Sequence, residues 1–348
     1  MKPGRKVGIT GYGVSIPRFR MSTKDIAAVW RPNRTFVPPV PERCVPARDE
    51  DTITLAIDAA RTAVRCSGQP LEDLGAVWVG TESKPYAAKP CATLVASAIG
   101  APNTLMASDI EFACKGGSES LQVATAAVGS GMVKLALAIG ADVAQARPGD
   151  ILEYLAAAGA AAFLIGPAED AIATIDASVS YISNTPDFYR RSEARYPQHG
   201  GRFTEEPGYF RHTLAASRAL MEELGASAKD FAHAVFHQPV PKLVERAAKD
   251  LGFTKAQLER GFCIPKFGNA YAASSLIGLA SVLDTAEPGE RVFFCSYGSG
   301  AGSDAFAFTV TEHIAKRRNV ATVSSFLNRR KLISGYGQYL RVMGSIRT

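Results

Sequence analysis

The sequence is poor in the residues that build metal centres and disulfide frameworks. Its 348 residues include only six cysteines and five histidines, and no two cysteines have CxxC spacing. Without that spacing neither a zinc site nor a dense disulfide framework is expected. We therefore expect no metal and reduced thiols, as in a cytoplasmic protein. The cysteines are scattered along the chain at Cys44, Cys66, Cys91, Cys114, Cys263 and Cys295.

Long apolar runs and signatures of nucleic-acid binding are also missing. The alanine-rich stretch 155–165 is interrupted by glycine and is too short to span a bilayer, and the N-terminus lacks the pattern of a signal peptide. The net charge of +6 arises near the C-terminus and not from a basic face interleaved with aromatic residues. We expect a soluble protein with no nucleic-acid or membrane partner, whose charge suits a polyphosphate ligand.

What is present is the alternation typical of an α/β protein, in which short β-branched runs are followed by longer alanine-rich stretches of helical period. The length leaves room for two domains or one large duplicated domain. Strands are predicted at 7–12, 76–80, 134–140, 160–165, 232–236, 291–296 and 304–310. Helices are predicted at 51–66, 118–131, 213–224, 242–251 and 272–286.

The two halves of the chain resemble each other at a nearly fixed offset, a feature to be sought before local detail. The strand that runs into Glu82 resembles the strand that runs into His237, 155 residues later. The segment that opens at Cys114 has its counterpart near Asn269, at a similar offset. Coincidence is the alternative, because many α/β proteins repeat strands and helices at similar spacing.

Duplication is the simpler interpretation, with an N-terminal half over residues 1–170 and a C-terminal half over residues 171–348. The first half then carries Glu82 and Cys114, and the second carries His237. Polar residues at strand ends and helix starts of both halves are expected to meet near the centre, where ligand sites of α/β sheets tend to form.

Cys114 is the strongest candidate for a nucleophile. It lies in SDIEFACKGGSES (108–120), where an apolar stretch stops and two glycines precede a helical run. At a helix N-terminus the free N–H groups and the helix dipole favour thiolate over thiol, and the same N–H groups can stabilise an oxyanion. The alternative is a small buried hydrophobic residue, which we prefer for the other five cysteines.

Two further residues can carry protons. His237 ends the strand-like AHAVFH and precedes a loop with two prolines, and imidazole exchanges protons near neutral pH. Glu82 follows the strand AVWVG, and a carboxylate whose pKa is raised by burial can remove a proton from an enzyme-bound acetyl group. Taken alone, a structural histidine and a solvated carboxylate are the alternatives. Their matching positions in the two halves favour function.

Three loops supply weaker candidates. Asn269 can orient a carbonyl or a water, although a helix N-cap is the alternative. The glycine-rich GSGAGS (298–303) leads into a strand and lacks the helix of dinucleotide and phosphate loops, which disfavours nicotinamide and ATP and indicates close backbone packing around a substrate channel. The segment 200–210 mixes glycine, arginine and aromatic residues, as ligand-site loops and plain surface loops both do.

The ordered motifs of the whole chain resemble one family, the archaeal type of hydroxymethylglutaryl-coenzyme A synthase within the thiolase superfamily. The resemblance implies the duplicated, five-layer αβαβα thiolase fold, a homodimer, and coenzyme A thioesters as substrates with no other cofactor. The motifs are VGITGYGVSIP, GTESKPYAAKP, EFACKGG, ILEYLAAAGAAAF, GGRFT, HQPVPK, GNAYAAS and GYGQYLR.

The same resemblance implies a catalytic set of Cys114, Glu82 and His237. Cys114 is expected to take the acetyl group of acetyl-CoA as a thioester, and Glu82 to remove a proton from its methyl group. The enolate then attacks the ketone of acetoacetyl-CoA, which His237 polarises before protonating the alkoxide. Hydrolysis releases 3-hydroxy-3-methylglutaryl-CoA. The expected binding residues are Asn269, Ser299 and Thr204 for the acetoacetyl or product portion, and Lys242, Arg246 and, as a weaker candidate, Arg202 for the coenzyme A phosphates.

Two segments depart from the family pattern. After ILEY the chain has Leu155, Ala156 and Ala157, where small hydroxyl residues are usual, and Val240 and Pro241 stand where a more polar, glycine-containing turn is common. Both departures are expected to alter the pocket of the second substrate and leave acyl transfer intact.

Three functions follow as hypotheses. The first is the synthase, which Glu82 favours because decarboxylating condensing enzymes lack such a carboxylate base. The second is a related C-acyltransferase or ketoacyl-synthase-like enzyme with another acceptor, which the altered segment at Leu155 favours. The third is a scaffold, since relatives of the archaeal type sit in complexes with a thiolase and a zinc-containing OB-fold protein. An intact catalytic set argues against a purely structural role.

Overall fold

The structure is a computed structural model that describes residues 1–31, 35–318, 321–344 and 346, without the side chain of Arg202. The strands are β1 (Val7–Ser15), β2 (Phe19–Ser22), β3 (Glu42–Val45), β4 (Leu74–Gly80), β5 (Met106–Ile110), β6 (Leu135–Val143), β7 (Ala158–Pro167), β8 (Ala173–Ile182), β9 (Phe188–Tyr189), β10 (Gln198–His199), β11 (His233–Phe236), β12 (Arg291–Cys295), β13 (Gly302–Val310) and β14 (Lys331–Leu332).

The helices follow the same numbering along the chain. They are α1 (Thr23–Trp30), α2 (Thr52–Ser67), α3 (Cys91–Ile99), α4 (Gly116–Gly129), α5 (Arg211–Leu224), α6 (Pro241–Asp250), α7 (Lys255–Leu258), α8 (Ile264–Phe267), α9 (Ser274–Leu283), α10 (Ile314–Arg317), α11 (Val323–Asn328) and α12 (Gly335–Val342). In the described part of the chain, none of them combines the length and apolarity needed to cross a membrane.

Every strand and helix predicted from the sequence is present, with its ends shifted by a few residues. In the main sheet the long strand β8 and the short strand β5 were not predicted, and neither was helix α3, which packs on that sheet. Strand β5 has the sequence MASDI and is only partly buried, so its residues give a weak apolar signal.

The main sheet repeats one pairing pattern in the two halves of the chain. Its order is β11-β12-β13-β8-β1-β7-β6-β4-β5. In the first half β4 runs parallel to β6, and β6, β7 and β1 pair antiparallel in turn. In the second half β11 runs parallel to β12, and β12, β13 and β8 pair antiparallel in turn. Strands β1 and β8 join the halves, so the duplication is visible in the topology.

The apolar clusters divide the molecule into five layers. Helices α2 and α3 pack on one face of the N-terminal strands, and α5 and α6 pack on the corresponding strands of the C-terminal half. Helices α4 and α9 fill the space between them. Alanine in α2 and glycine in β1 permit the helix to approach the strand closely. A Cβ on Gly11 or Gly13 of β1 would lie 2.4 Å from a carbonyl oxygen of α2. The arrangement is αβαβα, as predicted.

The two central helices begin with the same unusual turn. Ala113 has φ +42° and Tyr271 has φ +50°, and each stands three residues before the first residue of its helix, α4 or α9. Positive φ is disfavoured for residues with a Cβ, and surrounding structure must hold it. The turn before α4 carries Cys114, and the turn before α9 follows Asn269.

Candidate active site

Cys114 lies in the turn between β5 and α4 and is 8% exposed. Its apolar neighbours come from three different segments, because Ala144, Ala156 and Tyr271 form one buried cluster with it. The structure therefore places the thiol between the two halves, at the start of a central helix, as the sequence predicts.

The electrostatic surroundings of Cys114 differ from the prediction. Burial raises the pKa of the thiol well above its ordinary value, and the carboxylates of Glu82, Asp142 and Asp187 raise it further. The expectation that the helix start favours thiolate is therefore wrong for the free protein, because desolvation and negative charge outweigh the helix dipole. In the free protein Cys114 is therefore a thiol, and any attack by its sulfur atom would require loss of that proton.

Glu82 follows the end of β4 and lines a cavity of about 470 Å³ together with Ala113, Phe188, Arg190 and Ser299. Its Oε2 atom is buried without a hydrogen-bond partner among the described residues. Burial and then the charge of a second carboxylate raise the pKa of Glu82 well above its usual range, while Arg190 lowers it. A carboxylate of raised pKa is a stronger base once ionised.

That second carboxylate belongs to Asp142, which the sequence analysis missed. One oxygen of Asp142 accepts hydrogen bonds from the Thr81 hydroxyl at 2.8 Å, the Glu82 N–H at 2.9 Å and the Ser83 hydroxyl at 2.6 Å. The other accepts from the Ala272 N–H at 2.8 Å. Burial nevertheless raises the pKa of Asp142 to about 6. The available signal was a charged residue at the end of the apolar strand LALAIGADV.

His237 follows β11 and is completely enclosed by protein. Its N–H donates to the carbonyl of Cys295 at 2.8 Å, and its own carbonyl accepts from the Tyr209 hydroxyl at 2.9 Å. The ring centroid lies 6.3 Å from that of Tyr297, and Nδ1 is buried without a partner among the described residues. Burial lowers the pKa of His237 to about 3, so the imidazole is neutral in the free protein.

Asp187 is a second residue missed from the sequence, where it lies in a loop without a recognisable pattern. Its carboxylate accepts from the Tyr297 hydroxyl at 2.5 Å and from the Gly300 N–H at 2.9 Å. Its backbone carbonyl accepts from the hydroxyl of Thr204 at 3.3 Å. Asp187 therefore connects the aromatic neighbour of His237 with the glycine-rich loop and with Thr204.

Asn269 lies directly against the segment that departs from the family pattern. Its N–H donates to the carbonyl of Leu155 at 2.8 Å, and its carbonyl accepts from Ala157 at the same distance. The side-chain oxygen accepts from the Tyr271 N–H at 2.9 Å. The amide oxygen thus supports the turn before α9, but the N-cap of that helix is Ala273, so the alternative interpretation of Asn269 as a helix N-cap is wrong.

The two departures from the family pattern form one contact region. Leu155 packs with Val40 and Ile264, and Val240 packs against the same cluster. This cluster is separate from the one that surrounds Cys114, to which Ala156 belongs. Only the middle residue of the altered segment is therefore packed with the thiol.

The predicted phosphate-binding cations lie on helix α6 and are exposed, Lys242 in its first turn and Arg246 in its middle. Arg246 is paired with Glu206 at 2.7 Å and with Asp250 at 3.8 Å, whereas Lys242 has no ion pair among the described residues. Neither is part of the described lining of the cavity beside Glu82. The side chain of Arg202 lies outside the described residues.

The described residues contain no group of three or more histidine, cysteine, aspartate or glutamate side chains placed to hold a metal ion. A duplicated αβαβα scaffold with a buried thiol between carboxylates, at the start of a central helix, is that of an acyl-transferring condensing enzyme of the thiolase superfamily.

Comparison with known proteins specifies the family. Residues 221–310 match the family model described as 3-oxoacyl-[acyl-carrier-protein (ACP)] synthase III C terminal. Hydroxymethylglutaryl-CoA synthase of Methanocella arvoryzae is 48% identical over 99% of both chains, and that of Methanosarcina mazei is 49% identical over 98% of this chain and 99% of its own. The chain belongs to the hydroxymethylglutaryl-CoA synthase family.

A solved structure agrees in fold. The structure described as MvaS in complex with 3-hydroxy-3-methylglutaryl coenzyme A superposes with a TM-score of 0.87 at 24% identity, and the match covers 99% of this chain and 92% of the other. The predicted thiolase-like fold and condensing-enzyme class are confirmed.

Proposed function

We propose that this enzyme condenses acetyl-CoA with acetoacetyl-CoA and water to give 3-hydroxy-3-methylglutaryl-CoA and CoA, with Cys114, Glu82 and His237 as catalytic residues. The observation that carries the proposal is the position of Glu82, whose Oε2 is buried without a hydrogen-bond partner among the described residues and whose charge raises the pKa of the Cys114 thiol. A condensation that starts from acetyl-CoA needs a base for the methyl group, and this carboxylate supplies it.

In the first step the Sγ atom of Cys114 attacks the acetyl carbonyl, and CoA leaves as its thiol. Because the Cys114 thiol is protonated in the free enzyme, its proton passes to a base as the carbon–sulfur bond forms. Acetylation converts a neutral thiol into a neutral thioester, so the charge beside Glu82 does not change. Burial and the Asp142 carboxylate, which raise the pKa of Glu82, make it the stronger base for the next step.

In the second step Glu82 takes a proton from the acetyl methyl group, and the enolate attacks the ketone carbon of acetoacetyl-CoA. His237 is neutral, since burial lowers its pKa to about 3, and it donates a hydrogen bond to the ketone oxygen. The negative charge that develops on that oxygen raises the pKa of the imidazole, so that His237 takes up a proton from solvent, passes it to the alkoxide and returns to its neutral form. Water then hydrolyses the thioester at Cys114 and frees the product.

The proposed substrate contacts are Ser299, Thr204 and Asn269. Ser299 lines the cavity. Thr204 bonds to Asp187, the residue before the lining residue Phe188, and Asn269 bonds to Tyr271, whose ring packs against that of Phe188. For the coenzyme A phosphates, Lys242 is the better candidate, because Arg246 already has two acidic partners. Arg202 remains a weaker candidate on sequence alone.

The altered segment gives little support to a different acceptor. Leu155 and Val240 pack in a cluster away from Cys114, so their side chains fill protein core. A related C-acyltransferase activity remains the alternative because Ala156 is packed with the thiol.

We also propose a cytoplasmic homodimer that works in the mevalonate pathway of isoprenoid biosynthesis. Strand β5 is an edge of the main sheet and exposes Met106, and an edge strand offers unpaired backbone groups to a second copy. Association with a thiolase and a zinc-containing OB-fold protein is proposed from the family resemblance, and the domain division at residues 170 and 171 from the repeated strand pattern.

The test is to incubate the enzyme with acetyl-CoA, find the mass of one acetyl group on a Cys114 peptide, then add acetoacetyl-CoA and identify the product. Cys114→Ser should abolish acetylation, while Cys66→Ser, at a half-buried cysteine outside the site, should not. Acetylation without 3-hydroxy-3-methylglutaryl-CoA would overturn the synthase and keep the acyltransferase. No acetylation would overturn both.

A further inference from the structure

Lys115, the residue after Cys114, has one of the most deeply buried charged side chains of the protein. Its side chain is 1% exposed, and its Nζ atom lies 3.0 Å from Oδ1 of Asp304, which is completely buried. A second acid, Glu119, contacts the ammonium from the next turn of α4 and is 30% exposed. The pair therefore joins the nucleophile's turn to strand β13 of the other half.

Asp304 is itself held firmly. Its Oδ2 accepts from the Ser118 hydroxyl at 2.6 Å, and Oδ1 accepts from the hydroxyl of Ser180. Its N–H donates to the Ser296 hydroxyl at 3.1 Å. The carboxylate accepts from two hydroxyls and the backbone donates to a third, so the buried acceptor of the Lys115 ammonium is held in one place.

The turn that Lys115 closes is strained. Ala113 has φ +42°, and only two backbone bonds stabilise the turn from within, from Lys115 N–H to the Phe112 carbonyl at 2.9 Å and from Gly116 N–H to the Ala113 carbonyl at 3.1 Å. The Lys115 ammonium lies 4.5 Å from the ring centroid of Phe112. The side chain thus folds back beneath the turn that carries Cys114.

Gly298 and Gly302, in the other half of the chain, pack directly against this turn. A Cβ on Gly298 would lie 2.5 Å from Lys115 Cβ, Lys115 N and the Phe112 carbonyl oxygen, and a Cβ on Gly302 would lie 2.9 Å from the Phe112 ring. Gly298 and Gly302 form the base of the loop that carries Ser299, where the N–H of Gly298 donates to Gly302 at 2.8 Å. The position of Cys114 relative to Ser299 is therefore set at this contact.

Stability alone does not explain a pair of this kind. Burying two charges costs several kcal/mol per ion, and apolar replacement of a buried pair is often neutral or stabilising. We propose that Lys115 and Asp304 are positioning residues, which hold the turn of Cys114 against the Ser299 loop at the distance that acyl transfer needs. The proposal rests on the proposed function only through the role of Cys114 as acyl acceptor.

The decisive variant is the double substitution Lys115→Met with Asp304→Asn. Both residues keep their approximate volume, and no charge is left unpaired between them, whereas Lys115→Met alone strands a buried carboxylate. We expect the single variant to lose thermal stability and the double variant to regain it. In both, single-turnover acetylation of Cys114 should be slowed about a hundredfold, the effect of misplacing a reacting group by about 1 Å.

The following measurements distinguish a role of the pair in positioning Cys114 from a role in folding. The KM for acetyl-CoA should change little in the double variant while kcat falls, and Lys134→Met, which removes the surface pair with Asp73, should change neither. Acetylation of the double variant at the wild-type rate would overturn the proposal. So would a double variant that does not fold, because the pair would then serve the fold. Failure of the wild-type enzyme to acetylate would instead overturn the proposed function.

Discussion

Asp142 accepts a hydrogen bond from the N–H of Ala272, 2.8 Å away, and so ties the strand end beside Glu82 to the turn that precedes α9 in the other half. The same carboxylate also holds the backbone of Glu82. One buried side chain thus fixes the proposed base and joins the two halves at the site.

Replacing Asp142 with alanine should therefore destabilise the protein strongly. Four donors lose their acceptor, of which those of Thr81 and Ala272 are buried and those of Glu82 and Ser83 are partly buried. Each buried unsatisfied group costs about 1–3 kcal/mol. We expect the free energy of unfolding in urea to fall by more than about 3 kcal/mol. The exposed Asp58→Ala should change it by less than about 0.5 kcal/mol, and equal effects in the two variants would contradict this account.

Replacing Glu82 with glutamine should make Cys114 react at lower pH. The Glu82 carboxylate raises the pKa of the thiol, so its removal lowers that pKa toward the ordinary value. The pH dependence of Cys114 alkylation by iodoacetamide, followed by peptide mass spectrometry, measures the shift. Glu111→Gln is the matched control, since Glu111 lines the same cavity but is paired with Lys84. A Glu82→Gln profile that stays in place, or moves to higher pH, would show that the two groups do not interact.

His237 should make the protein more sensitive to acid. Its pKa is about 3 in the folded state and about 6.5 when unfolded, so the unfolded chain binds the additional proton between these values and stability falls as pH falls. Between pH 6.5 and 5 this amounts to about 2 kcal/mol. His237→Asn should remove that part of the slope in urea titrations at several pH values. His313→Asn, at an exposed position, should leave the slope unchanged, and a His237→Asn slope equal to that of the wild type would falsify the assignment.

Leu155→Ala should cost stability without changing the product. The side chain is 7% exposed and packs with Val40 and Ile264. Its truncation leaves a cavity and should lower the free energy of unfolding by about 2–5 kcal/mol. Thermal unfolding measures the loss, and Leu332→Ala, at a side chain 52% exposed, is the control. Product analysis by mass spectrometry should find the same thioester as for the wild type. A new product would show that this departure from the family pattern shapes the acceptor pocket.

The sequence was sufficient to predict the main strands and helices, because they carry clear apolar periodicity, and to select Cys114, Glu82 and His237 as candidates through the repeated spacing of the two halves. Strand β8 alternates buried and partly buried residues over its first four positions and was within reach of the same reasoning. The role of Asp187 could not be predicted from the sequence, since its partners Tyr297 and Gly300 are distant along the chain. The raised pKa of Cys114 could not be predicted either, because it depends on carboxylates that only the fold brings together.

The matching turns at Ala113 and Tyr271 bear on how such an enzyme arises. If both halves descend from one ancestral unit, its gene passed on a backbone bend that neither copy has lost. In the N-terminal half the next residue is Cys114, proposed here as the nucleophile. In the C-terminal half it is Ala272, whose N–H donates a hydrogen bond to the carboxylate of Asp142. The two halves then came to differ at the site through changes of side chain on a shared backbone, and the bend itself arose only once.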